Sequence, residues 1–302
     1  MRGFNRLAVI FSVAIGAAVT LGAVNGPAIA AGPDGLAEAG ILKVGIIPAE
    51  DGRAVVKQSK EVMDQVSKAL NMKAELFVGS DYNATIEALR SGKVDVALMG
   101  GFGYVLATTQ APVEAFAVTV TAKSNSPDYH AIIIARADAK EITSIESLKG
   151  RTFAFVDPSS TSGSLMPKAA MMDLKIVPES DLKKVIYSGG HDASIIAVVE
   201  GKVDAAAVAD RIFAGACDKK AIDCSKLKVI WKSPKIPNDP LFYRKAISPE
   251  MKKKIAEAFY GIKNLTFGEM GMVARFDPAT DENYEVVRHI AKTLKLDLTK
   301  MK

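Results

Sequence analysis

The feature of this chain that most restricts its fold is a helix, turn and strand unit that occurs twice. Residues 86–100 read IEALRSGKVDVALMG, and residues 196–210 read IAVVEGKVDAAAVAD. Both contain the tetrapeptide Gly-Lys-Val-Asp, and its glycine stands where a helix is expected to end. Small apolar residues that fit a buried strand follow in both segments. The repetition predicts equivalent units in two similar lobes.

The N-terminal half of the chain alternates between strand and helix patterns. Strands are predicted at residues 41–47, 73–79 and 93–100. Apolar residues at helical spacing predict helices at 55–71 and 83–92. Such alternation favours an α/β fold in which helices cover both faces of mainly parallel sheets.

Two segments are typical of connections between separate lobes. An apolar strand is followed by polar or proline-containing residues in 129–150 and again in 227–245. We therefore expect two α/β lobes joined by two crossing segments. The predicted limits are 31–134 and 233–302 for the first lobe, 135–232 for the second lobe, and 135–136 and 232–236 for the hinge.

The first thirty residues have the pattern of a secretory signal peptide. Arg2 and Arg6 form a positive start, an apolar stretch follows, and Ala28 and Ala30 fit a small-x-small cleavage site. The pattern predicts that residues 1–30 are removed and that the mature chain is exported to the periplasm. An uncleaved membrane anchor is the alternative, because the apolar stretch is about long enough to span a bilayer.

The charge of the chain argues against a nucleic-acid partner. The sequence has 39 Lys and Arg residues against 34 Asp and Glu, and loss of Arg2 and Arg6 with the leader would lower the net charge from +5 to +3. This excess is spread along the chain, whereas nucleic-acid binding requires a clustered basic face. We expect most of the lysines to form a solvated surface.

The two cysteines, Cys217 and Cys224, lie close together in the segment CDKKAIDC. In an exported protein, such a pair predicts a disulfide that closes a surface loop, with two free thiols as the alternative. A metal site would need more ligands, and the sequence contains three histidines. We expect neither a metal site nor a cofactor.

Residues 156–167, VDPSSTSGSLMP, place a run of hydroxyl groups between a predicted strand and a helix expected to begin near Ser162. Backbone N–H groups at a helix start are unpaired and attract anions, and Ser160, Thr161 and Ser162 can add side-chain donors. Gly163 would let a ligand approach the backbone. The pattern predicts a tetrahedral oxyanion held by hydrogen bonds. In the simpler alternative, one serine caps the helix and the others are solvated turn residues.

Two further groups of residues are predicted at the ends of strands. In YSGGHDAS, residues 187–194, His191 stands at the start of a predicted helix, on the side of the sheet where open α/β folds bind ligands. Tyr82, Tyr104 and Tyr129 also lie in loops that follow predicted strands. Taken alone, each tyrosine is more often a packing residue, and GGHD more often a turn. Their shared position favours one common site.

These motifs resemble those of the periplasmic phosphate, phosphite and phosphonate-binding proteins of ABC transporters. The resemblance covers nearly all of the chain after the leader, and its specific parts are DPSSTSG and GGHD. It implies a type II periplasmic-binding-protein fold, an α/β fold in which two lobes close on a ligand in the cleft between them. In this family the hydroxyl-rich loop and the histidine hold the phosphorus oxyanion. The residues implied here are Ser160, Thr161, Ser162 and His191, with Tyr82 and Tyr129 from the other lobe.

The resemblance also suggests a ligand. Family members that bind 2-aminoethylphosphonate hold its ammonium group with two carboxylates, and the matching positions here are Asp210 and Asp239. A carboxylate repels a phosphonate unless a cation lies between them, so two of them favour a zwitterionic ligand. 2-Aminoethylphosphonate is therefore the predicted ligand. Phosphite, methylphosphonate or phosphate is the alternative, because either aspartate can be a turn residue or can pair with a cation such as Arg211.

The implied role is the substrate-binding component of an ABC importer, a monomer whose partner is a permease in the inner membrane. A ligand-sensing subunit of a membrane receptor is the alternative. An enzyme is not expected. Ser160, His191 and Asp192 are the residue types of a hydrolase triad, but the sequence has no Gly-x-Ser-x-Gly elbow, and Asp192 directly follows His191.

Overall fold

The computed structural model describes residues 34–301, which form fourteen strands and nine α-helices. The predicted signal peptide, residues 1–30, lies outside the described residues. Within residues 34–301, no helix has both the length and the apolar character that crossing a membrane requires.

The strands are β1 (Ile41–Ile46), β2 (Lys73–Val78), β3 (Val96–Leu98), β4 (Val113–Thr121), β5 (Asp128–Tyr129), β6 (Ala131–Arg136), β7 (Thr152–Phe155), β8 (Lys184–Tyr187), β9 (Ala205–Ala209), β10 (Leu227–Lys232), β11 (Ile236–Pro237), β12 (Pro240–Arg244), β13 (Leu265–Thr266) and β14 (Met272–Pro278). The α-helices are α1 (Gly52–Leu70), α2 (Tyr82–Arg90), α3 (Gly101–Gln110), α4 (Met166–Asp173), α5 (Pro178–Asp181), α6 (His191–Val199), α7 (Asp210–Asp218), α8 (Pro249–Tyr260) and α9 (Glu285–Thr293). A π-helical turn, Thr161–Leu165, leads into α4.

The strands form two main sheets, one in each lobe, and one short ladder. The first sheet has seven strands in the order β13-β14-β4-β12-β3-β1-β2, and the second has five in the order β10-β6-β9-β7-β8. β5 and β11 pair with each other where the chain passes between the two sheets. The predicted α/β fold with two lobes is confirmed.

The expectation of mainly parallel strands is met only in part. β1 pairs in parallel with β2 and β3, and β7 pairs in parallel with β8 and β9, but the remaining ladders are antiparallel. The end of β9 pairs with the start of β6, and the end of β3 pairs with the start of β12. β6 and β12 both begin at the cleft between the sheets, just after the chain has crossed from the other lobe. A strand that starts at the cleft must run opposite to one that ends there, so the crossings impose mixed sheets.

The predicted lobe boundary between residues 134 and 135 is displaced. β6 spans Ala131–Arg136 and pairs along its length with β9 of the second sheet. The chain therefore enters the second lobe at about residue 130, and the hinge predicted at 135–136 lies inside a strand. An apolar strand pattern does not show which sheet the strand joins. The return connection leaves the second sheet after Lys232 and reaches the first sheet at Pro240.

The two Gly-Lys-Val-Asp tetrapeptides occupy equivalent positions in the two lobes. The Asp95 carboxylate accepts from Lys43 N (3.0 Å), and Asp95 N donates to Lys43 O (2.8 Å), near the start of β1. Asp204 makes the same two contacts with Thr152 at the start of β7, at 2.7 and 3.0 Å. In each lobe the aspartate therefore aligns the parallel strand beside it.

Buried apolar side chains hold the first sheet against its helices. α1 packs Val55, Val62 and Val66 into the core of the first lobe. Asp51 caps the start of the helix, because its carboxylate accepts from Arg53 N. This cap holds the segment between β1 and α1 in place at the cleft, where it meets the second lobe.

Cys217 and Cys224 form the predicted disulfide, with a Cα–Cα distance of 5.7 Å. The bond links the last turn of α7 to the short helical turn before β10. Because α7 begins at the cleft, the disulfide holds the far end of a helix whose first turn reaches the site described next.

Candidate oxyanion-binding site

A small cavity lies between the lobes, at the ends of β1, β3, β7 and β9. The first lobe contributes Ile47, Ala49, Tyr82 and Gly100, the second lobe contributes Ser160, Thr161, Ser162, His191 and Arg211, and the crossing segments contribute Tyr129 and Asp239. This space is called the ligand cavity below. Its volume is about 10 Å³, close to the space that one water molecule needs. A ligand of several heavy atoms therefore requires the lobes to open or a lining side chain to move.

The run of hydroxyl residues is buried at the ligand cavity, within a loop called the hydroxyl loop (residues 157–163). Ser160 Oγ accepts from Gly163 N (3.0 Å), so Ser160 is a helix cap, as the simpler alternative proposed for one serine. Thr161 Oγ1 accepts from Phe102 N of the other lobe (2.9 Å). Ser160, Thr161 and Ser162 are each at most 2% exposed, so they are not solvated turn residues.

The helix after the hydroxyl loop begins as a π-helical turn at Thr161 rather than as a regular α-helix near Ser162. Leu165 N donates to Ser160 O across five residues, at 3.0 Å. Gly163 O accepts from Val156 N (3.0 Å), which ties the turn back to the end of β7. The backbone of the turn is therefore fixed at both ends, and the Ser160 and Thr161 hydroxyls each accept from a backbone N–H.

His191 lies at the start of α6, as predicted, and is 3% exposed. Its Nδ1 accepts from Ala209 N (3.1 Å), so this bond assigns the proton of the neutral ring to Nε2. Burial, with a smaller contribution from the Arg211 cation, lowers the pKa of His191 to about 3. The ring is therefore neutral at physiological pH and offers one N–H donor at the ligand cavity.

We expect the buried neutral ring of His191 to make the protein less stable in acid. The pKa is near 6.5 in the unfolded chain and about 3 in the folded one, so as the pH falls the unfolded state takes up a proton first. From this group alone, the free energy of unfolding should fall by about 2 kcal/mol between about pH 7 and pH 5. His191→Asn keeps an acceptor near Ala209 N and should remove that part of the pH dependence in urea denaturation. The same dependence in both proteins would contradict the assignment.

Two of the three tyrosines lie at the ligand cavity. Tyr82 is 2% exposed and Tyr129 is 5% exposed. Desolvation, followed by the charges of nearby carboxylates, raises the pKa of both phenols, so both are neutral hydroxyl donors. Tyr104 lies elsewhere: its hydroxyl donates to Asp281 Oδ1 (2.7 Å) and accepts from Ala115 N (3.2 Å). It is a packing residue of the first lobe.

The two aspartates predicted to hold an ammonium group lie in different surroundings. Asp239 lines the ligand cavity, is 1% exposed, and accepts from Arg211 Nη2 through Oδ1 (3.1 Å). Asp210 lies outside the cavity. Its Oδ1 accepts from His130 N (3.0 Å), and its Oδ2 lies 3.8 Å from Lys232 Nζ. α7 starts at Asp210, so the side chain of the next residue, and not that of Asp210, reaches the cavity.

Arg211 is a cavity residue that sequence reasoning considered only as an ion-pair partner. Its Nη1 donates to Glu269 O (2.7 Å), its Nη2 donates to Asp239, and its guanidinium carbon lies 5.0 Å from the centre of the Tyr129 ring. The side chain is 12% exposed. The available sequence signal was its position, two residues after the end of β9 at the cleft.

Glu269 is a second buried acidic residue near Arg211, and the sequence did not indicate it. It is 3% exposed, and among the described residues no hydrogen-bond donor reaches either of its carboxylate oxygens. Desolvation, followed by the charge of Asp239, raises the pKa of Glu269 well above its usual range. This favours a neutral carboxyl group behind the Arg211 and Asp239 pair.

Direct contacts join the two lobes around the ligand cavity. His191 N donates to Ala49 O (2.8 Å), and Asp51 N donates to Asp192 Oδ2 (3.0 Å). Asp192 thus bonds across the cleft, while Nδ1 of the His191 ring bonds to Ala209 N. The hydrolase arrangement, in which a carboxylate orients the histidine ring, is not formed by these residues. Within residues 34–301, no group of three or more His, Cys, Asp or Glu residues is arranged to hold a metal ion.

Comparisons with a family model and with known proteins show the family of this chain. A family model described as the periplasmic substrate-binding protein of phosphonate ABC transporters matches residues 44–284. The phosphate-import protein PhnD of Mycolicibacterium smegmatis is 29% identical over 270 residues, which are 82% of this chain and 84% of that protein. The phosphonates-binding periplasmic protein of Escherichia coli is 34% identical over 226 residues, 72% of this chain and 65% of that protein.

A solved structure has the same architecture. The binding protein component of an ABC phosphonate transporter from Pseudomonas aeruginosa is 29% identical, with a TM-score of 0.76, and the match covers 84% of this chain and 86% of that one. The likeness confirms the predicted type II periplasmic-binding-protein fold, with two lobes and a cleft between them.

Proposed function

Since the chain belongs to the family of periplasmic substrate-binding proteins of phosphonate ABC transporters, we propose that it captures a small phosphorus oxyanion between its lobes and delivers it to a permease of the inner membrane. The observation that carries this proposal is the enclosed cavity to which both lobes contribute neutral hydrogen-bond donors. Tyr82 belongs to the first lobe, and the hydroxyl loop and His191 belong to the second.

The donor set suits a tetrahedral anion. Tyr82 and Tyr129 supply phenol hydroxyls, Thr161 and Ser162 supply aliphatic hydroxyls, and His191 supplies a ring N–H. Each hydrogen bond to a charged acceptor contributes about 1.5–3 kcal/mol. The pKa shifts of the phenols and the imidazole keep these groups neutral, so they can bind an anion without first losing or gaining a proton.

The contacts of the two aspartates bear on the choice of ligand. An ammonium clamp for 2-aminoethylphosphonate requires two carboxylates that are free to meet the amine. Asp239 already pairs with Arg211, and Asp210 lies outside the ligand cavity. These contacts favour the alternatives phosphite, methylphosphonate and phosphate, and the 2-aminoethylphosphonate assignment stays a prediction.

We propose that ligand capture is coupled to closure of the lobes. β5 and β11 are short, pair with each other, and lie in the two connections between the sheets, so they are the proposed hinge in place of residues 135–136. The bonds from Phe102 N to Thr161 Oγ1 and from His191 N to Ala49 O would form as the lobes close. The closed form would then dock on the permease as a monomer. Co-purification with a receptor kinase instead would favour the sensory alternative.

Thr161 provides the test of this site, because its hydroxyl lines the ligand cavity and also bonds across the cleft. Thr161→Ala should weaken the binding of methylphosphonate and phosphite by about tenfold or more, through loss of a charge-assisted hydrogen bond. Thr161→Ser keeps the hydroxyl and should retain most of the affinity. Isothermal titration of the three proteins measures the effect, and equal affinity in all three would refute the proposed role of the hydroxyl loop.

A further inference from the structure

We infer that Arg211 determines ligand specificity: its guanidinium closes the side of the ligand cavity into which a substituent on phosphorus would extend, and it excludes ligands that carry an amine. The inference rests on the proposed function, since it concerns the same cavity. The clamp suggested by the sequence would use the carboxylates of Asp210 and Asp239, but in the structure Asp239 pairs with Arg211.

Arg211 and Tyr129 separate two spaces. One is the ligand cavity, and the other is a groove on the surface between the lobes, called the side groove, whose lining includes His130, Asp210 and Lys232. The ligand cavity has a volume of about 10 Å³, whereas the side groove has about 380 Å³. The Arg211 side chain borders both. Its removal would join them and would give a ligand substituent room to extend toward Asp210.

The guanidinium is held in place and is not a mobile surface group. Nη1 donates to Glu269 O (2.7 Å), and Nη2 donates to Asp239 Oδ1 (3.1 Å). The Tyr129 ring covers one of its faces, 5.0 Å from ring centre to guanidinium carbon. Moving this buried cation would break all three contacts and leave the Asp239 carboxylate, itself 1% exposed, without its partner. Such a displacement is strongly unfavourable.

The charges of the site also favour phosphorus oxyanions without an amine over those that carry one. A phosphorus oxyanion next to Arg211 is attracted by a buried cation. That attraction offsets the repulsion between the oxyanion and the Asp239 carboxylate, which pairs with Arg211. The ammonium group of an aminoalkyl phosphonate would instead meet a like charge, or would have to replace the guanidinium beside Asp239. Without Arg211, the same carboxylate would have no cation partner, and a ligand amine could supply one. Loss of Arg211 should therefore reverse the preference between the two kinds of ligand.

The test is isothermal titration of wild type, Arg211→Ala and Arg211→Gln with methylphosphonate and 2-aminoethylphosphonate. Wild type should bind methylphosphonate more tightly. In Arg211→Ala, methylphosphonate should bind about tenfold more weakly or worse and 2-aminoethylphosphonate more tightly, so that the ratio of the two dissociation constants changes by about a hundredfold. Arg211→Gln keeps most of the side-chain volume and should shift the same ratio less, so it also serves if Arg211→Ala does not fold.

Two controls test whether the change in ligand preference depends on Arg211 itself and on the Asp239 carboxylate. Arg53→Ala removes an arginine near the cleft whose side chain is 95% exposed, and it should leave both dissociation constants unchanged within about twofold. Adding Asp239→Asn to Arg211→Ala removes the carboxylate that would receive the amine, and the gain for 2-aminoethylphosphonate should disappear.

The outcomes distinguish this inference from the function on which it rests. If wild type binds neither these two ligands nor phosphite nor phosphate, the proposed function fails. If wild type binds and both Arg211 variants keep its ratio of dissociation constants, the inference about Arg211 is overturned while the function stands. Tighter binding of 2-aminoethylphosphonate than of methylphosphonate by wild type would also overturn it.

Discussion

Gly163→Ala will weaken the binding of methylphosphonate by about a hundredfold, the equivalent of two lost charge-assisted hydrogen bonds of about 1.5 kcal/mol each. A Cβ at this position would lie 2.5 Å from Val156 Cβ and 2.8 Å from Ser160 Oγ. The Val156 contact involves a carbon fixed to the backbone, so the hydroxyl loop itself must shift. The shift would also disturb the bonds from Gly163 N to Ser160 Oγ and from Val156 N to Gly163 O.

Gly215→Ala is the matched control for this substitution. Gly215 lies within α7, and no described heavy atom outside its own helical backbone lies within 4 Å of a Cβ built there. Its replacement should leave affinity unchanged and can stabilise the helix slightly. Titration of both variants, with circular dichroism to verify folding, measures the difference. A well-folded Gly163→Ala protein with wild-type affinity would show that the hydroxyl loop does not position the ligand.

Asp95→Ala will lower the free energy of unfolding by about 3–5 kcal/mol. Asp95 is fully buried, and its Oδ1 accepts from Ala37 N and from Arg244 Nη2, both at 2.7 Å. Its Oδ2 accepts from Lys43 N (3.0 Å). The alanine would leave two backbone N–H groups and the Arg244 guanidinium, whose side chain is 13% exposed, without this acceptor.

Urea denaturation measures this effect, with Asp64→Ala as the control. Asp64 pairs with Lys60 on the surface of α1, where the two side chains are 63% and 74% exposed. Its loss should change the free energy of unfolding by no more than about 0.5 kcal/mol. If Asp95→Ala proves as mild as the control, Asp95 does not anchor the first sheet in the way its contacts indicate.

The parts of the fold that sequence reasoning predicted depend on local signals. The hydroxyl loop follows from a strand end, an Asp-Pro turn and a helix start that are adjacent in the chain. The repeated Gly-Lys-Val-Asp unit likewise predicted equivalent positions in the two lobes, and in the structure its aspartates, Asp95 and Asp204, bond to neighbouring strands. Such features need no knowledge of how distant segments meet.

The parts that sequence reasoning missed depend on contacts between distant segments. β6 has the same apolar pattern whether it joins the first sheet or the second, so the boundary at residue 134 was wrong. Asp210 directly follows β9 and Asp239 directly precedes β12, yet only Asp239 reaches the ligand cavity. Glu269 lies in a short turn far along the chain, and its burial beside Asp239 arises only when that turn packs against α7.

Arg211 is a charged residue whose burial likewise depends on contacts between distant segments. As a residue type it is most often solvent-exposed, and the sequence around it contains no periodic signal that predicts burial. Its position becomes informative only with the contacts to Glu269 O and Asp239 in view. Because of those contacts, the ligand preference that we propose differs from the one predicted from the sequence.

The most direct measurement is isothermal titration of the wild-type protein, recovered from the periplasm of an expressing strain, with phosphite, methylphosphonate, phosphate and 2-aminoethylphosphonate. We expect saturable binding of one ligand per chain for at least one of the first three, tighter than for 2-aminoethylphosphonate. Absence of binding to all four would contradict the assignment of the ligand cavity to phosphorus oxyanions.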